Sequence, residues 1–281
     1  MSDLAPSSLA LRILPVGLLA GRGAGLRGGR GSWYLIERHA RAYRRGWSML
    51  VSGFFEPLFY LLSIGIGISK LVGTVVGPGG QAISYTSFVA PAMMATSAMN
   101  GAVIDTTFGV FFLMKYSKVF DAVLATPMRS TDVANGQLGW AVIRGGLYSV
   151  SFIVVMLAMG LVHSAWAILD VPAALVVSLG FAGVGLAATT FMRSWQHFEY
   201  VTLAILPMFL FSATFYPLNV YPRPLQIVVE ATPLYQGVAL LRGLTFGYVG
   251  PALLWSVAYL VLMGSAGLYI ASRRITKLLL K

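Results

Sequence analysis

The sequence between two long apolar segments reads Lys115-Tyr116-Ser117-Lys118-Val119-Phe120-Asp121-Ala122-Val123-Leu124-Ala125-Thr126-Pro127. Apolar and aromatic side chains recur here at i, i+3, i+4 and i+7, the spacing of one helical face; they are Tyr116, Val119, Phe120 and Val123. The helix should end at Thr126, because proline pushes the preceding residue out of the α region. The stretch therefore predicts an amphipathic helix of about three turns at a membrane surface. Such a helix is either a connector that lies on the membrane surface or a protruding element to which a soluble partner protein binds.

The composition around this stretch is that of an integral membrane protein. The 281 residues are 57% hydrophobic and only 10% charged, whereas globular domains carry roughly 25% charged residues. The chain contains no cysteine, which excludes disulfides and thiolate metal sites. The three histidines, His39, His163 and His197, are far apart and form no ligand-spaced motif. The sequence therefore predicts no metal centre.

The net charge of +11 reflects membrane orientation rather than binding of nucleic acid. Lysine and arginine cluster beside the ends of apolar segments, as the positive-inside rule predicts. Aromatic residues are not interleaved with them, as they are in a nucleic-acid groove. With a cytoplasmic N-terminus and six spans, 16 of the 20 basic residues fall on the inner side. This asymmetry predicts that both termini, and the Lys115 stretch, lie in the cytoplasm.

Apolar runs predict an all-α membrane protein with six transmembrane helices. They lie at about 48–69, 84–113, 138–162, 173–192, 200–215 and 251–271. Glycines 180, 183 and 185 in the fourth span predict close helix packing. Residues 1–32 predict a disordered cytoplasmic tail ahead of a membrane domain at 33–281. The basic, aromatic stretch Trp33–Met49 predicts an amphipathic interfacial helix, and Lys70–Ile83, rich in glycine, predicts an external loop.

Two carboxylates lie inside predicted spans, where charge is costly and marks a site or a buried partner. Glu56, near the cytoplasmic end of the first span, either reaches water or belongs to a transport path. Asp105 lies about two turns above the cytoplasmic end of the second span. It either pairs with an arginine such as Arg144 or belongs to the path.

The segment Tyr216–Gly247 is too apolar for a free loop, yet prolines divide it into runs that are too short to span a bilayer. These prolines are Pro217, Pro222, Pro224 and Pro233. Two short helices in the outer leaflet, re-entrant in topology, satisfy both observations.

Motifs for chemistry on nucleotides or peptides are absent from the sequence. It has no G-x-x-x-x-G-K-[ST], H-E-x-x-H or G-x-S-x-G run. The chain is therefore predicted to be no enzyme by itself but a conduit, a scaffold or the membrane half of a complex.

Several stretches together resemble the ABC-2 family of bacterial ABC-exporter membrane subunits, in its nodulation-factor (lipo-oligosaccharide) and daunorubicin-resistance branch. The resembling stretches are Glu56–Leu62 with Gly65-Ile66-Gly67, Phe88–Pro91 with Ser97–Asn100, Tyr116–Pro127, Pro207–Leu218, and Pro233-Leu234-Tyr235 followed by Arg242-Gly243. Their order and spacing carry the resemblance more than any single stretch does. The branch usually has tryptophan near position 224 and histidine near 236, where this chain has Pro224 and Gln236. This departure leaves the substrate open.

The resemblance implies a homodimer in the bacterial cytoplasmic membrane, each copy gripped by a cytoplasmic ATP-binding subunit that holds ATP and Mg²⁺. The residues implied to couple to that subunit are Tyr116, Val119, Phe120, Asp121, Val123, Leu124, Ala125, Thr126 and Pro127. Those implied in the re-entrant region are Pro217, Pro233, Tyr235 and Arg242. Besides these protein partners, the chain is expected to contact membrane lipid and no nucleic acid.

Export of an amphipathic lipid, a glycolipid or a hydrophobic drug is the function that the resemblance implies. The path would run between two copies of the chain, with contributions from the first, second and fifth spans. Its candidate residues are Phe54, Phe55, Glu56, Phe59, Met94, Asn100, Asp105, Phe108, Phe209 and Phe211, since aromatic and methionine side chains suit an apolar substrate.

Two other classes of function remain open on the sequence. An ion-driven secondary transporter would use Glu56 and Asp105 as proton carriers, although the chain has no convincing internal repeat. A membrane scaffold or sensor without transport activity is the third class.

Overall fold

A computed structural model describes residues 30–43, 55 and 58–279. The tail prediction for residues 1–29, the start of the first predicted span, Phe54 and Glu56 lie outside these residues. Helix α1 (Arg30–Tyr43) corresponds to the predicted interfacial helix. It begins at Arg30, so it includes the last three residues of the predicted 1–32 tail. Leu35 of α1 is buried against Gly136, where an added Cβ would lie 2.8 Å from the Leu35 Cβ.

The predicted external loop contains a small β-hairpin, which corrects the purely helical prediction. Helix α2 (Leu58–Val72) is π-helical over Leu61–Ile66. Strands β1 (Thr74–Val76) and β2 (Ala82–Ser84) then pair antiparallel, with Val75 opposite Ile83. β-branched residues favour strands, and Gly80, with a φ of 79°, supplies the turn between them. Glycine-rich composition alone had indicated only a loop.

Helix α3 (Tyr85–Lys115) is the buried centre of the molecule. The Ser84 side chain caps it by accepting a hydrogen bond from the Ser87 backbone N–H at 3.1 Å. The helix continues past Pro91 and turns π-helical over Asp105–Gly109. Lys118, with a φ of 47°, then breaks the chain direction before α4 (Val119–Leu124). Helix α4 has 6 residues, so the prediction of about three turns was wrong.

Three further long helices complete the bundle: α5 (Ser130–Ala158), α6 (Ala165–Thr189) and α10 (Pro251–Leu279). Helix α5 begins eight residues before the predicted span, because the Asp132 carboxylate accepts from the Arg129 backbone N–H at 3.0 Å and caps this end. Helix α10 runs eight residues past its predicted end. There Arg274 donates to the Thr190 hydroxyl at 3.1 Å and stacks over Phe191.

Among the described residues, four helices are long and apolar enough to cross a membrane: α3, α5, α6 and α10. Helix α7 (His197–Phe211) has 15 residues, which is about 22 Å of α-helix against a hydrocarbon core of roughly 30 Å. Helix α2 is also short. A multi-pass, largely helical membrane fold is therefore established, whereas the sixfold crossing stays a prediction.

Helices α6 and α10 approach each other closely through glycines, as the glycines of the fourth span predict. A Cβ on Gly264 would lie 2.7 Å from the Leu179 carbonyl oxygen, which is closer than real Cβ atoms approach. A Cβ on Gly183 would overlap the Gly264 backbone in the same way. Small residues allow such backbone contact between helices in lipid.

Two helices occupy the proline-rich segment, as predicted: α8 (Arg223–Ala231) and α9 (Pro233–Phe246). Thr232 separates them and caps α9 by accepting from the Tyr235 backbone N–H at 3.3 Å. Helix α9 packs against α3, α6 and α10. The depth of α8 and α9 in a bilayer stays a prediction.

Candidate functional site

The apolar face of α4 is occupied within the chain itself. Phe120 is 1% exposed and belongs to a buried cluster with Leu35, Val133, Leu186 and Ile275. Val119 and Val123 pack against the same cluster. These side chains therefore fix α4 on the ends of α1, α5, α6 and α10, and they leave that face unavailable to a partner protein.

The opposite side of α4 and its flanking turns is exposed. Its residues are Tyr116, Asp121, Ala122, Ala125, Thr126 and Pro127. Tyr116 precedes α4, is 61% exposed and stacks on Phe112, with ring centroids 5.6 Å apart. Leu124 is the last residue of α4. The predicted coupling residues thus divide into an internal anchor and an exposed surface, which periodicity alone did not separate.

A buried charge pair joins the helices beneath α1. The Asp105 carboxylate and the Arg144 guanidinium form a salt bridge, with side chains 7% and 6% exposed. Tyr43 donates to Asp105 Oδ1 at 3.1 Å and accepts from Arg144 Nη1 at 3.1 Å. Arg144 Nε donates to the Tyr148 hydroxyl at 2.8 Å. The predicted pairing of Asp105 with Arg144 is confirmed.

Tyr43, which belongs to this network, lies on α1, outside the membrane-spanning helices. Burial, followed by the nearby Asp105 carboxylate, raises the pKa of Tyr43 to about 12. The Tyr43 hydroxyl therefore stays protonated and keeps its hydrogen-bond proton for Asp105 at every physiological pH. Through Tyr43 the interfacial helix α1 is bonded directly to α3 and α5.

A cavity of about 570 Å³ lies between α2, α3 and α7, which are the first, second and fifth predicted spans. It brings together three of the predicted path residues, Asn100, Phe108 and Phe209. Residues of the lining that sequence reasoning missed include Tyr60, Tyr85, Ile205 and Tyr216. Apart from the periodicity of their helices, these residues carry no signal that separates a cavity wall from a lipid-facing surface.

Aromatic rings crowd one end of this cavity. Phe108 stacks on Phe198 with centroids 4.1 Å apart, and Trp195 meets both rings edge-on. Phe111 packs against Phe198 at 5.1 Å. Phe108 is the member of this cluster that lines the cavity, and Trp195 lies in the short connection between α6 and α7.

The other predicted path residues lie elsewhere. Met94 is fully buried within α3, and Asp105 is held in the salt bridge. Phe59 is exposed and stacks on Phe55 at 5.6 Å, and Phe211 meets Tyr221 at 6.3 Å on the outside. None of these four lines the cavity. Their assignment to a transport path stays a prediction.

The predicted re-entrant residues surround a second cavity of about 350 Å³ beside α9. Pro217, Tyr235 and Arg242 contribute to its lining. Pro233 is the first residue of α9, a position that tolerates proline because its N–H would have no helical partner.

A family model described as ABC-2 type transporter matches residues 31–246. The chain belongs to the ABC-2 family. It is 30% identical over 226 residues to Nodulation protein J of Rhizobium leguminosarum bv. trifolii, which covers 79% of this chain and 84% of the relative. Nodulation protein J of Rhizobium leguminosarum bv. viciae is 30% identical over 193 residues, 68% of this chain and 73% of the relative. That of Rhizobium meliloti (strain 1021) is 30% identical over 68% of this chain and 72% of the relative. No solved structure matches.

Membership in the ABC-2 family makes the chain a membrane subunit of a transporter rather than its ATPase. The matched region contains all but the first residue of α1 and the whole of α2 to α9, including the exposed side of α4 and the cavity between α2, α3 and α7. The lining of the second cavity extends beyond it, to Tyr248, Ala252, Leu253 and Ser256. The ABC-2 match ends at the last residue of α9, and α10 follows it as the helix that packs against Gly183.

Proposed function

We propose that this chain is the permease subunit of an ATP-driven exporter that moves an amphipathic lipid, glycolipid or lipo-oligosaccharide outward across the bacterial cytoplasmic membrane. The ABC-2 family match is the observation that carries the proposal. Similarity to Nodulation protein J over most of the chain favours the glycolipid branch over a hydrophobic drug. The cavity between α2, α3 and α7, rich in aromatic and aliphatic side chains, suits an amphipathic cargo.

The exposed side of α4 is the surface through which ATP binding and hydrolysis in a partner subunit are coupled to transport. ABC-2 membrane subunits generally pair with a cytoplasmic ATP-binding subunit, which would hold ATP and Mg²⁺, since this sequence has no phosphate-binding loop. A partner that grips Tyr116 and the 121–127 surface moves α4 as a body, because Phe120 fixes α4 on the bundle. The tighter binding of ATP to one state of the complex supplies the work.

A second copy of the chain completes the path in this proposal. Large apolar side chains are exposed on α7 and α10, among them Leu203 and Leu254. These surfaces meet either lipid or the second permease of a homodimer. The cavity beside α2 and α7 then opens toward the interface of the two copies.

Ion-driven transport is the less favoured alternative. Of its two predicted proton carriers, Asp105 is committed to Arg144 and Tyr43, and release of the carboxylate would leave a buried guanidinium without its counter-ion. Glu56 lies outside the described residues.

Purification of the full chain from its native membrane in mild detergent tests the exporter. We expect a soluble nucleotide-binding chain to accompany it, and we expect the complex to hydrolyse ATP. A preparation that keeps other known membrane complexes intact but yields no such chain would contradict the proposal. Transport that survives ATP depletion and collapses with the proton gradient would favour the ion-driven alternative.

Single-cysteine labelling tests the proposed orientation, and the absence of native cysteine makes it specific. Ser117→Cys, beside α4, should react with a membrane-impermeant maleimide only from the cytoplasmic side. Gly80→Cys would strain a residue with positive φ, so Gln81→Cys in the hairpin is the better outer probe. Labelling of both positions from the same side would contradict an odd number of crossings between them.

A further inference from the structure

The second cavity holds a buried cation that none of the features above uses. About 350 Å³ in volume, it lies between α9, the start of α10 and the hairpin. Arg242 of α9 lines it and is only 8% exposed. A buried arginine is costly in a membrane protein and marks a site or a partner.

The guanidinium is held by neutral groups. Its Nε and Nη2 donate to the Phe88 carbonyl oxygen at 3.3 and 3.1 Å, and Nη2 also donates to the Ala213 carbonyl oxygen at 3.1 Å. The guanidinium carbon lies 3.8 Å from the centre of the Phe88 ring. Across residues 30–43, 55 and 58–279, Nη1 has no hydrogen-bond acceptor. These contacts fix the orientation of the group and leave one nitrogen for a ligand.

No carboxylate of the described chain neutralises this charge. Its two salt bridges join Glu37 to Arg41 and Asp105 to Arg144. Asp170, on α6, instead accepts from the Thr245 hydroxyl at 2.9 Å. Carbonyl dipoles and an aromatic face stabilise a cation only in part, so the Arg242 charge favours an anion beside it.

Backbone strain at the cavity wall points in the same direction. Ala213 lines the cavity, is buried and has a φ of 53°. A positive φ raises the conformational free energy of a residue that has a Cβ, and such strained residues are concentrated at functional sites. Its carbonyl oxygen is one of the two that hold Arg242. The chain thus keeps a strained turn in the position that fixes the guanidinium.

We propose that this cavity binds the oxyanion of an amphipathic molecule, a phosphate or carboxylate group, with Arg242 Nη1 as its charged donor. Guanidinium groups are well matched to such oxygens. Tyr235 and Asn219 place further hydrogen-bonding side chains in the lining, while Pro217 and Leu253 supply apolar wall. The volume suits a head group rather than a whole lipid. This site goes beyond the proposed export and does not depend on ATP.

Native mass spectrometry of the full chain in neutral detergent tests the site. The probes are phosphatidylglycerol and diacylglycerol with the same acyl chains, because diacylglycerol has no phosphate. We expect the wild-type chain to retain one phosphatidylglycerol with about tenfold preference, the effect of one charged hydrogen bond. Ala239→Phe, which fills the cavity without removing the guanidinium, should abolish the preference, as should Arg242→Gln.

Arg223→Gln is the matched control, because it removes an exposed arginine near the same end of the molecule. It should leave the preference unchanged. Arg242→Gln also removes the hydrogen bonds to two carbonyl oxygens, and this loss could prevent folding. In that case the result for Ala239→Phe alone tests the proposal. If inorganic phosphate displaces the lipid, the site recognises the oxyanion alone. If inorganic phosphate does not displace the lipid, the site recognises a head group together with its acyl chains. Equal retention of both lipids by the wild-type chain, or a preference that survives Ala239→Phe, would overturn the proposal.

Discussion

Asp105→Ala is expected to lower the free energy of unfolding by about 3–5 kcal/mol, because it leaves a buried guanidinium without its counter-ion. Arg144 would keep its contact with Tyr148, but its buried charge would lose the Asp105 carboxylate with which it pairs. Tyr43 would lose its acceptor at the same time, and α1 would lose a bond to α3. Thermal unfolding of the full chain in detergent, followed by tryptophan fluorescence, measures the change. A midpoint lower by on the order of 10 °C corresponds to this loss.

A double variant separates the lost charge from the lost packing. Asp105→Ala with Arg144→Met removes both charges and keeps an adaptable side chain at 144, so it should be more stable than Asp105→Ala alone. Glu37→Ala is the matched control. It breaks the exposed pair with Arg41, and exposed pairs contribute only about 0–1 kcal/mol. An Asp105→Ala chain that unfolds like the wild type would contradict the structural role and return Asp105 to the list of proton carriers.

The Asp105 pairing shows what sequence can predict in this fold. Apolar length located the helices, and two opposite charges inside neighbouring spans had few alternatives to pairing with each other. The π-helical turn that begins at Asp105 has no sequence signal here, and neither has the participation of Tyr43 from α1. Both depend on packing between segments that are distant in the chain.

Helix α4 shows where periodicity stops being informative. Spacing of i, i+3 and i+4 identified its apolar face correctly, but spacing does not say what covers that face. The cover comes from Leu35, Leu186 and Ile275, which lie in three other helices. The break at Lys118 was also invisible, because lysine is uncommon with positive φ. The family resemblance singled out Arg242, yet only the structure shows that it is buried and that no carboxylate of residues 30–43, 55 and 58–279 forms a salt bridge with it.

Ala125→Trp is expected to abolish retention of the ATP-binding subunit while leaving the fold of this chain intact. Ala125 lies on the exposed side, directly after α4, so an indole there meets the partner rather than the core. A large side chain at the centre of a complementary surface disrupts packing that carries much of the binding energy. We expect the retained partner to fall by more than about tenfold, with ATP-driven transport lost in proportion.

Two comparisons make this result specific. Ala165→Trp adds the same indole to an exposed residue at the opposite end of α6 and should leave the partner bound. Phe120→Ala opens a cavity in the cluster under α4 and should cost about 3–5 kcal/mol of stability. Phe120→Ala is therefore expected to weaken binding of the partner only while it also lowers the unfolding midpoint of this chain. Ala125→Trp is expected to weaken binding of the partner and to leave the unfolding midpoint unchanged. Retention of the partner by Ala125→Trp would show that the exposed side of α4 is not its binding surface.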